Sequence, residues 1–318
     1  MSIGKLTIII ATYNRKDILQ KALDAYRSQS VQEEILEMLV VDDGSTDGTD
    51  SMVAQSNEGS PIPIRYFRQD HRGAAAARNL AIREARGDLL LFTDDDVVPS
   101  HTLVEEHSKW HRQNPDPCVA ILGFIPWDPE VHPTPFMNWL ISEGPVLNLR
   151  ECSKRKELGF GFFCTGNLSL KAEFLRKNGT FDEDFRTFGY EDLELGYRLT
   201  RRGLRILYNP DAVGYHYKHM SFADACRRKQ LAVAAEKVFQ TKEAGVYFGE
   251  IVARRRSTLK YRILKLLARW VTPVLTPLRP LLDTQIPLPW FVYRALYHYY
   301  SVPKVKAPEA VNRNSEKG

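Results

Sequence analysis

Along the first hundred residues, continuous apolar runs of strand length alternate with segments whose apolar positions recur at helical spacing. Leu6–Ala11 is the first such run. Asp17–Gln29 follows, with Ile18, Leu19, Ala22 and Tyr26 on one helical face. Met38–Val41, Ile64–Phe67 and Asp88–Phe92 predict further short buried strands, and Asp47–Gln55 and Ala74–Ala85 the helices between them. Buried strands joined by helices imply right-handed crossovers and an α/β, doubly wound sheet.

Beyond Pro99, which is expected to stop the fourth strand, the pattern loosens. His101–His111 predicts a helix and Val119–Phe124 a strand. Trp127–Pro145 is a proline- and aromatic-rich excursion with a helix around Phe136–Ile141, and Leu168 and Leu170 mark another strand. Asp192–Arg202 has helical spacing at Leu195 and Leu199 and ends at Gly203, in the position of a C′ glycine. Ser221 and Asp224 form a capping-box pattern that opens a helix towards Phe239.

The tail has a different character. Leu259, Ile263, Leu266, Leu267 and Trp270 share one helical face, and Arg262, Lys265 and Arg269 the other, behind the run Arg254-Arg255-Arg256. Such a helix lies on a membrane surface or docks on the body of the protein with its basic face in water. Charge sharpens the contrast. The net charge is +5, yet from Arg254 onward 13 Lys/Arg face three Asp/Glu, so residues 1–253 are net acidic at −5. Residues from about Pro303 read as disordered.

The remaining composition, 43% hydrophobic and 26% charged over 318 residues, is that of an ordinary globular chain. The apolar run at the start is too short for a signal segment, and no stretch of about 18 apolar residues predicts a spanning helix. Cys118, Cys152, Cys164 and Cys226 have no metal-ligand spacing and read as free thiols of a reducing, cytoplasmic compartment. Nucleic-acid binding is disfavoured, because the aromatics of the basic tail cluster after Pro289 and do not interleave with its arginines.

Chemistry concentrates at the strand ends. Asp94-Asp95-Asp96 follows Leu89–Phe92, and adjacent carboxylates call for a cation or a donor-rich ligand. The carboxyl edge of an open α/β sheet is where ligands bind. Thr12, Tyr13, Asn14 and Arg15 follow strand one and offer a hydroxyl, backbone N–H groups and an aromatic face to a nucleotide. Asp42 and Asp43 precede the turn Gly44–Thr49; a carboxylate there accepts the imide N–H of a uracil-like base and repels phosphate. Gly73 and the alanines after it let a helix N-terminus approach a ligand, with Arg72 and Arg78 offering charge to a diphosphate. Neither a P-loop lysine nor a GxGxxG pattern is present.

Taken in order, Thr12–Arg15, Val40–Thr49, Arg72–Asn79 and Leu89–Pro99, continued by Cys164–Leu170, Phe181–Phe185 and Gly189–Leu199, resemble the inverting, nucleotide-sugar-dependent glycosyltransferases of family 2, which have the GT-A fold. The resemblance covers roughly residues 5–220. It implies a GT-A, mixed-sheet catalytic domain over 1–220, with a donor half to about 100 and an acceptor half from 101. A helical extension over 221–302 and a tail over 303–318 complete the chain. Asp42 or Asp43 would then meet the donor base, Thr12 and Arg78 would help fix the nucleotide, and Asp94 would face the ribose. Asp95 or Asp96 would bind a divalent ion, Mn²⁺ or Mg²⁺, with Asp96 preferred by spacing; Asp94 is a further candidate ligand. His216 matches a position where such enzymes carry another ligand, which tilts the choice to Mn²⁺. Asp192 would be the general base, with Glu191 as its partner or an acceptor ligand. The implied partners are a nucleotide-sugar donor, UDP-linked by preference, and a saccharide or lipid-linked acceptor at the cytoplasmic membrane face. The rival readings are a nucleotidyltransferase, disfavoured by the missing lysine-bearing loop, and an inactive sugar-nucleotide-binding scaffold, disfavoured by the intact acid set.

Overall fold

A computed structural model describes residues 4–144, 149–258 and 270–301. Eight strands, β1 (Leu6–Thr12), β2 (Ile35–Asp42), β3 (Ile64–Arg68), β4 (Leu89–Asp94), β5 (Val97–Pro99), β6 (Val119–Phe124), β7 (Asn167–Lys171) and β8 (Arg205–His216), form one mixed sheet in the order β3-β2-β1-β4-β7-β6-β8-β5. The first four strands are parallel, with β1 paired to both β2 and β4. The strand order reverses beside β1, so its C-terminal end at Thr12, next to Asp42 and Asp94, is the topological switch point.

The continuous apolar runs are explained by layers on both faces. Ile8 and Ile10 of β1 pack with Leu19, Leu23, Met52 and Val53 from the helices Lys16–Arg27 and Thr49–Asn57. Ile9 points the other way, into a cluster with Leu39, Phe92, Ala77 of helix Ala74–Glu84 and Leu195 of helix Glu191–Arg201. A strand covered on both sides has no polar face to show.

Pro99 does not terminate the fourth strand. β4 ends at Asp94, the chain bends at Asp95-Asp96, and Val97–Pro99 is a separate edge strand antiparallel to β8. An edge position tolerates the missing N–H of proline. Pro210 is likewise accommodated inside β8, where a register shift separates the pairs Gly123–Asn209 and Phe124–Val213. The helix Ala172–Asn178 after β7 has no counterpart in the sequence-based expectation.

Ser221 caps its helix as expected, its hydroxyl accepting the Asp224 N–H at 3.1 Å, but the segment towards Phe239 is two helices, Phe222–Leu231 and Val233–Thr241. Both pack onto the sheet domain. Ala235 and Phe239 join the cluster of Ile9, while Phe222, Cys226, Val292 and Leu296 pack with Trp127, Phe136 and Trp139. The helix Trp290–Ser301 therefore buries one face and leaves Trp290 and Phe291 exposed. Most of the amphipathic helix expected around Leu259–Trp270, and the tail beyond Ser301, lie outside the described residues. None of the four cysteines is in a disulfide.

Candidate active site

Three groups of side chains meet at the carboxyl edge of the sheet. The first surrounds the end of β2. Asp42 is fully buried; it accepts the Ser45 N–H at 2.7 Å and the Tyr66 hydroxyl at 2.6 Å. Asp43 accepts Gln69 Nε2 and the Arg72 N–H, each at 2.7 Å, and the Gly73 N–H at 3.0 Å. Asp43 thus clamps the turn that leads into helix Ala74–Glu84, whereas Asp42 orients Tyr66. Asn14, at a φ of 50°, crosslinks to the same region: its N–H donates to Ser45 Oγ and its Oδ1 accepts the Thr46 N–H, both at 2.8 Å. Tyr13 stands exposed at the rim with its ring centroid 4.3 Å from that of His71.

The second group is the triplet. Thr12 Oγ1 donates to Asp95 at 2.8 Å, and Arg15 Nη1 bridges Asp95 at 2.8 Å and Asp96 at 2.7 Å. The other oxygen of Asp96 lies 3.3 Å from His216 Nε2, and the His216 ring stacks on Trp127 with centroids 4.8 Å apart. Burial works to raise the Asp96 pKa, but His216 and Arg15 hold it well below the usual carboxylate range. Asp95 goes the other way: burial, opposed by Arg15 and reinforced by the charge of Asp96, lifts it to about 6.

The third group opens helix Glu191–Arg201. Tyr190 takes the left-handed conformation at a φ of 70° directly before it. Asp192 accepts the Thr165 N–H at 3.0 Å and the Thr165 hydroxyl at 2.8 Å. Arg78 is buried between the second and third groups. Its Nη2 lies 3.2 Å from Asp94, and its Nη1 lies 3.0 Å from Glu191 and 3.7 Å from Asp192. The second carboxylate oxygen of Glu191 is buried with no hydrogen-bond partner. A helix N-terminus favours ionised acids, yet at Asp192 burial and the Glu191 charge outweigh Arg78 and Thr165, pushing its pKa up to about 7.

Five carboxylates, Asp94, Asp95, Asp96, Glu191 and Asp192, are thus met by the two guanidiniums of Arg15 and Arg78. With all ionised, the cleft has a surplus of three negative charges, which suits a dication. Of the expected metal set, Asp96 and His216 face each other, while Asp94 turns to Arg78. Among the described residues no three His, Cys, Asp or Glu side chains are arranged to hold an ion. A carboxylate facing an imidazole is nonetheless a donor set that Mn²⁺ accepts. Thr165, Tyr66 and Trp127 were not foreseen as site residues. Thr165 falls within the segment Cys164–Leu170, but its role depends on a contact 27 positions away.

Fold and cleft together define a GT-A protein, an α/β sheet with an acid-lined ligand edge. The chain belongs to glycosyl transferase family 2, matching that family over residues 7–179. It is 32% identical over 238 residues to the validoxylamine A glucosyltransferase of Streptomyces hygroscopicus subsp. limoneus, across 67% of this chain and 52% of that protein. The match therefore spans about half the length of that relative. Among solved structures it is similar to the mannosyltransferase PcManGT of Pyrobaculum calidifontis, with a TM-score of 0.61, 21% identity and coverage of 95% of this chain and 88% of the other. It is also similar to S. aureus TarS 1-349, with a TM-score of 0.56, 17% identity and coverage of 93% and 89%.

Proposed function

We propose that the protein transfers a sugar from a nucleoside diphosphate donor to a saccharide or lipid-linked acceptor, inverting the anomeric centre in a single displacement. The observation that carries this reading is Arg78, one buried guanidinium within 3.2 Å of Asp94 on the donor side and 3.0 Å of Glu191 on the acceptor side. It ties the carboxylate expected at the donor ribose to the one expected beside the base in a single cleft. Asp192 takes the proton of the acceptor hydroxyl as it attacks. A base with a pKa near 7 holds that proton at neutral pH without binding it too weakly to help. The unpartnered oxygen of Glu191 accepts a hydrogen bond from the acceptor.

Asp96 and His216 would hold a divalent ion, with Arg15 fixing the second oxygen of Asp96. Bound there, the ion would supply charge neutralisation for the departing diphosphate. Thr12 and Arg15 keep the triplet in place, and the buried Asp42 holds Tyr66 and Ser45 at the strand end where the base would lie. The Pyrobaculum enzyme was solved with GDP-Man and Mn²⁺ and TarS with UDP, which supports a nucleoside diphosphate donor; the uracil preference rests on the sequence motif alone, since Asp42 and Asp43 accept from protein donors. The test is a panel of nucleotide sugars assayed for release of free nucleoside diphosphate with and without Mn²⁺. Release from one donor that stops in excess chelator supports the reading, and release unaffected by chelator overturns the role of the ion.

A peripheral position on the cytoplasmic membrane face belongs to the same proposal. Trp270 and Val274, each 76% exposed, with Trp290 and Phe291, give the basic C-terminal part apolar groups for insertion between headgroups. No described helix is long and apolar enough to cross a membrane.

A further inference from the structure

Tyr190 breaks two local rules at once. An aromatic residue at a φ of 70° is an outlier, because its Cβ crowds the following carbonyl in the left-handed region. Tyr190 also occupies the N-cap of helix Glu191–Arg201, where Ser, Thr, Asp or Asn would satisfy the free N–H groups, and its side chain makes no capping bond. Gly189, at a φ of 103°, precedes it. These two residues turn the chain into the helix that opens with Glu191 and Asp192. Such strain persists only where the surroundings over-determine it.

The surroundings here are the C-terminal helices. The half-buried Tyr190 ring has its centroid 5.1 Å from that of Phe239 on helix Val233–Thr241, and Phe239 is only 2% exposed. Phe239 is backed in turn by Phe248 of helix Glu243–Ser257, with centroids 6.2 Å apart. A Cβ on Gly189 would lie 3.4 Å from Ala232, the residue between helices Phe222–Leu231 and Val233–Thr241. Further along the helix, the Tyr197 hydroxyl donates to Glu243 at 3.0 Å, and its ring lies 5.4 Å from that of Tyr247. Ahead of the turn, Lys242 Nζ lies 2.7 Å from Asp182 and 2.5 Å from Asp184. Those ion pairs are partly open to water and contribute little. The contact with Phe239 falls on the strained residue itself and rests on a buried partner, so it decides the conformation there.

We propose that Tyr190 is a positioning residue: Phe239 holds its ring, and the left-handed turn so fixed aims the N-terminus of helix Glu191–Arg201, with Glu191 and Asp192, into the cleft. The C-terminal helices thereby act on the base through the backbone at Tyr190. The effect on turnover rests on the reading of Asp192 as the base; the hold on the turn does not.

Two measurements on the full-length protein test it. Amide hydrogen exchange needs no substrate and reads the Glu194 N–H, which donates to the Tyr190 carbonyl at 3.0 Å. It should exchange roughly tenfold faster or more in Tyr190→Ala and in Phe239→Leu, while Tyr190→Phe, which keeps the ring, stays at the wild-type rate. Tyr190→Gly should fall between, since glycine takes the left-handed conformation without steric cost. Turnover of the nucleotide sugar consumed in the donor panel should follow the same order, Phe above Gly above Ala. In Tyr190→Ala kcat should drop roughly tenfold or more, with UDP or GDP affinity within about twofold of wild type. Wild-type exchange in either Tyr190→Ala or Phe239→Leu overturns the hold. So does a loss of nucleoside diphosphate affinity in step with kcat, which marks general disruption of the fold. If exchange quickens while turnover is unaltered, Asp192→Asn decides. An inactive Asp192→Asn then refutes positioning by Tyr190, whereas normal turnover in that variant refutes the base reading and leaves the hold standing.

Discussion

At Asp192, burial and the Glu191 charge pull against Arg78 and Thr165, and under the proposed mechanism that balance sets when the side chain can take a proton. Burial and Glu191 raise its pKa towards 7 while Arg78 and Thr165 resist. In the proposed mechanism the active form is the carboxylate, so turnover should climb as pH rises through about 7, an ascending limb that a pH–rate profile of kcat reads directly. Asp192→Asn keeps the shape and the Thr165 contacts but takes no proton. It should lower turnover by roughly 10²–10⁴ with donor affinity nearly unchanged, and near-normal turnover would move the role to Glu191. Asp96→Asn should instead abolish the Mn²⁺-dependent part of donor binding, measured by titrating nucleoside diphosphate with and without the ion. Arg78 carries a different burden, since three carboxylates surround it. Arg78→Met leaves buried acids unpaired and should destabilise the fold by about 3–5 kcal/mol in denaturant unfolding, with partial relief as pH falls and those acids take up protons.

Among the elements, the turn into helix Ala74–Glu84 shows how backbone geometry serves the site. Gly73 sits at a φ of 91°, and a Cβ there would lie 2.8 Å from the Arg186 carbonyl oxygen. Gly73→Ala should cost about 1–3 kcal/mol of stability and displace the Arg72 and Gly73 N–H groups from Asp43, an effect visible in thermal unfolding. The parallel core was legible in the sequence, because β1, β2 and β4 carry continuous apolar runs bounded by turn residues, while the edge strand β3, Ile-Arg-Tyr-Phe-Arg, is short and interrupted by Arg65. The opposite edge was not legible. Val97–Pro99 is too short and proline-bearing to announce a strand, and its partner β8 contains Pro210 within a register shift that only the tertiary pairing creates. Within the cleft, the acids themselves stood out as collinear motifs at strand ends. Their partners did not, because Arg15 reaches Asp95 across 80 positions and Thr165 reaches Asp192 across 27, and no local pattern encodes such contacts.

Over the whole molecule, charge is segregated: residues 1–253 are net acidic around the cleft, and the segment from Arg254 is net +10. Apolar insertion at Trp270 and Trp290 together with attraction to anionic headgroups, on the order of 1 kcal/mol per basic residue near the surface, should bring the full-length protein down with anionic liposomes. High salt should weaken that sedimentation, and equal sedimentation of a version ending before Arg254 would leave the tail a docked element only. Because Val292, Tyr293 and Leu296 are packed into the body, this truncation must first be shown to fold by its thermal unfolding. The central claim is that one cleft holds the leaving group on the triplet side and the base at Asp192 on the opposite side of the reacting sugar. The direct test is proton NMR of the glycoside made from whichever nucleotide sugar the protein consumes, read for anomeric configuration. An anomeric centre opposite to that of the donor, lost in Asp192→Asn, is the result expected; a product that keeps the donor configuration, or no glycoside from any nucleotide sugar, would contradict it.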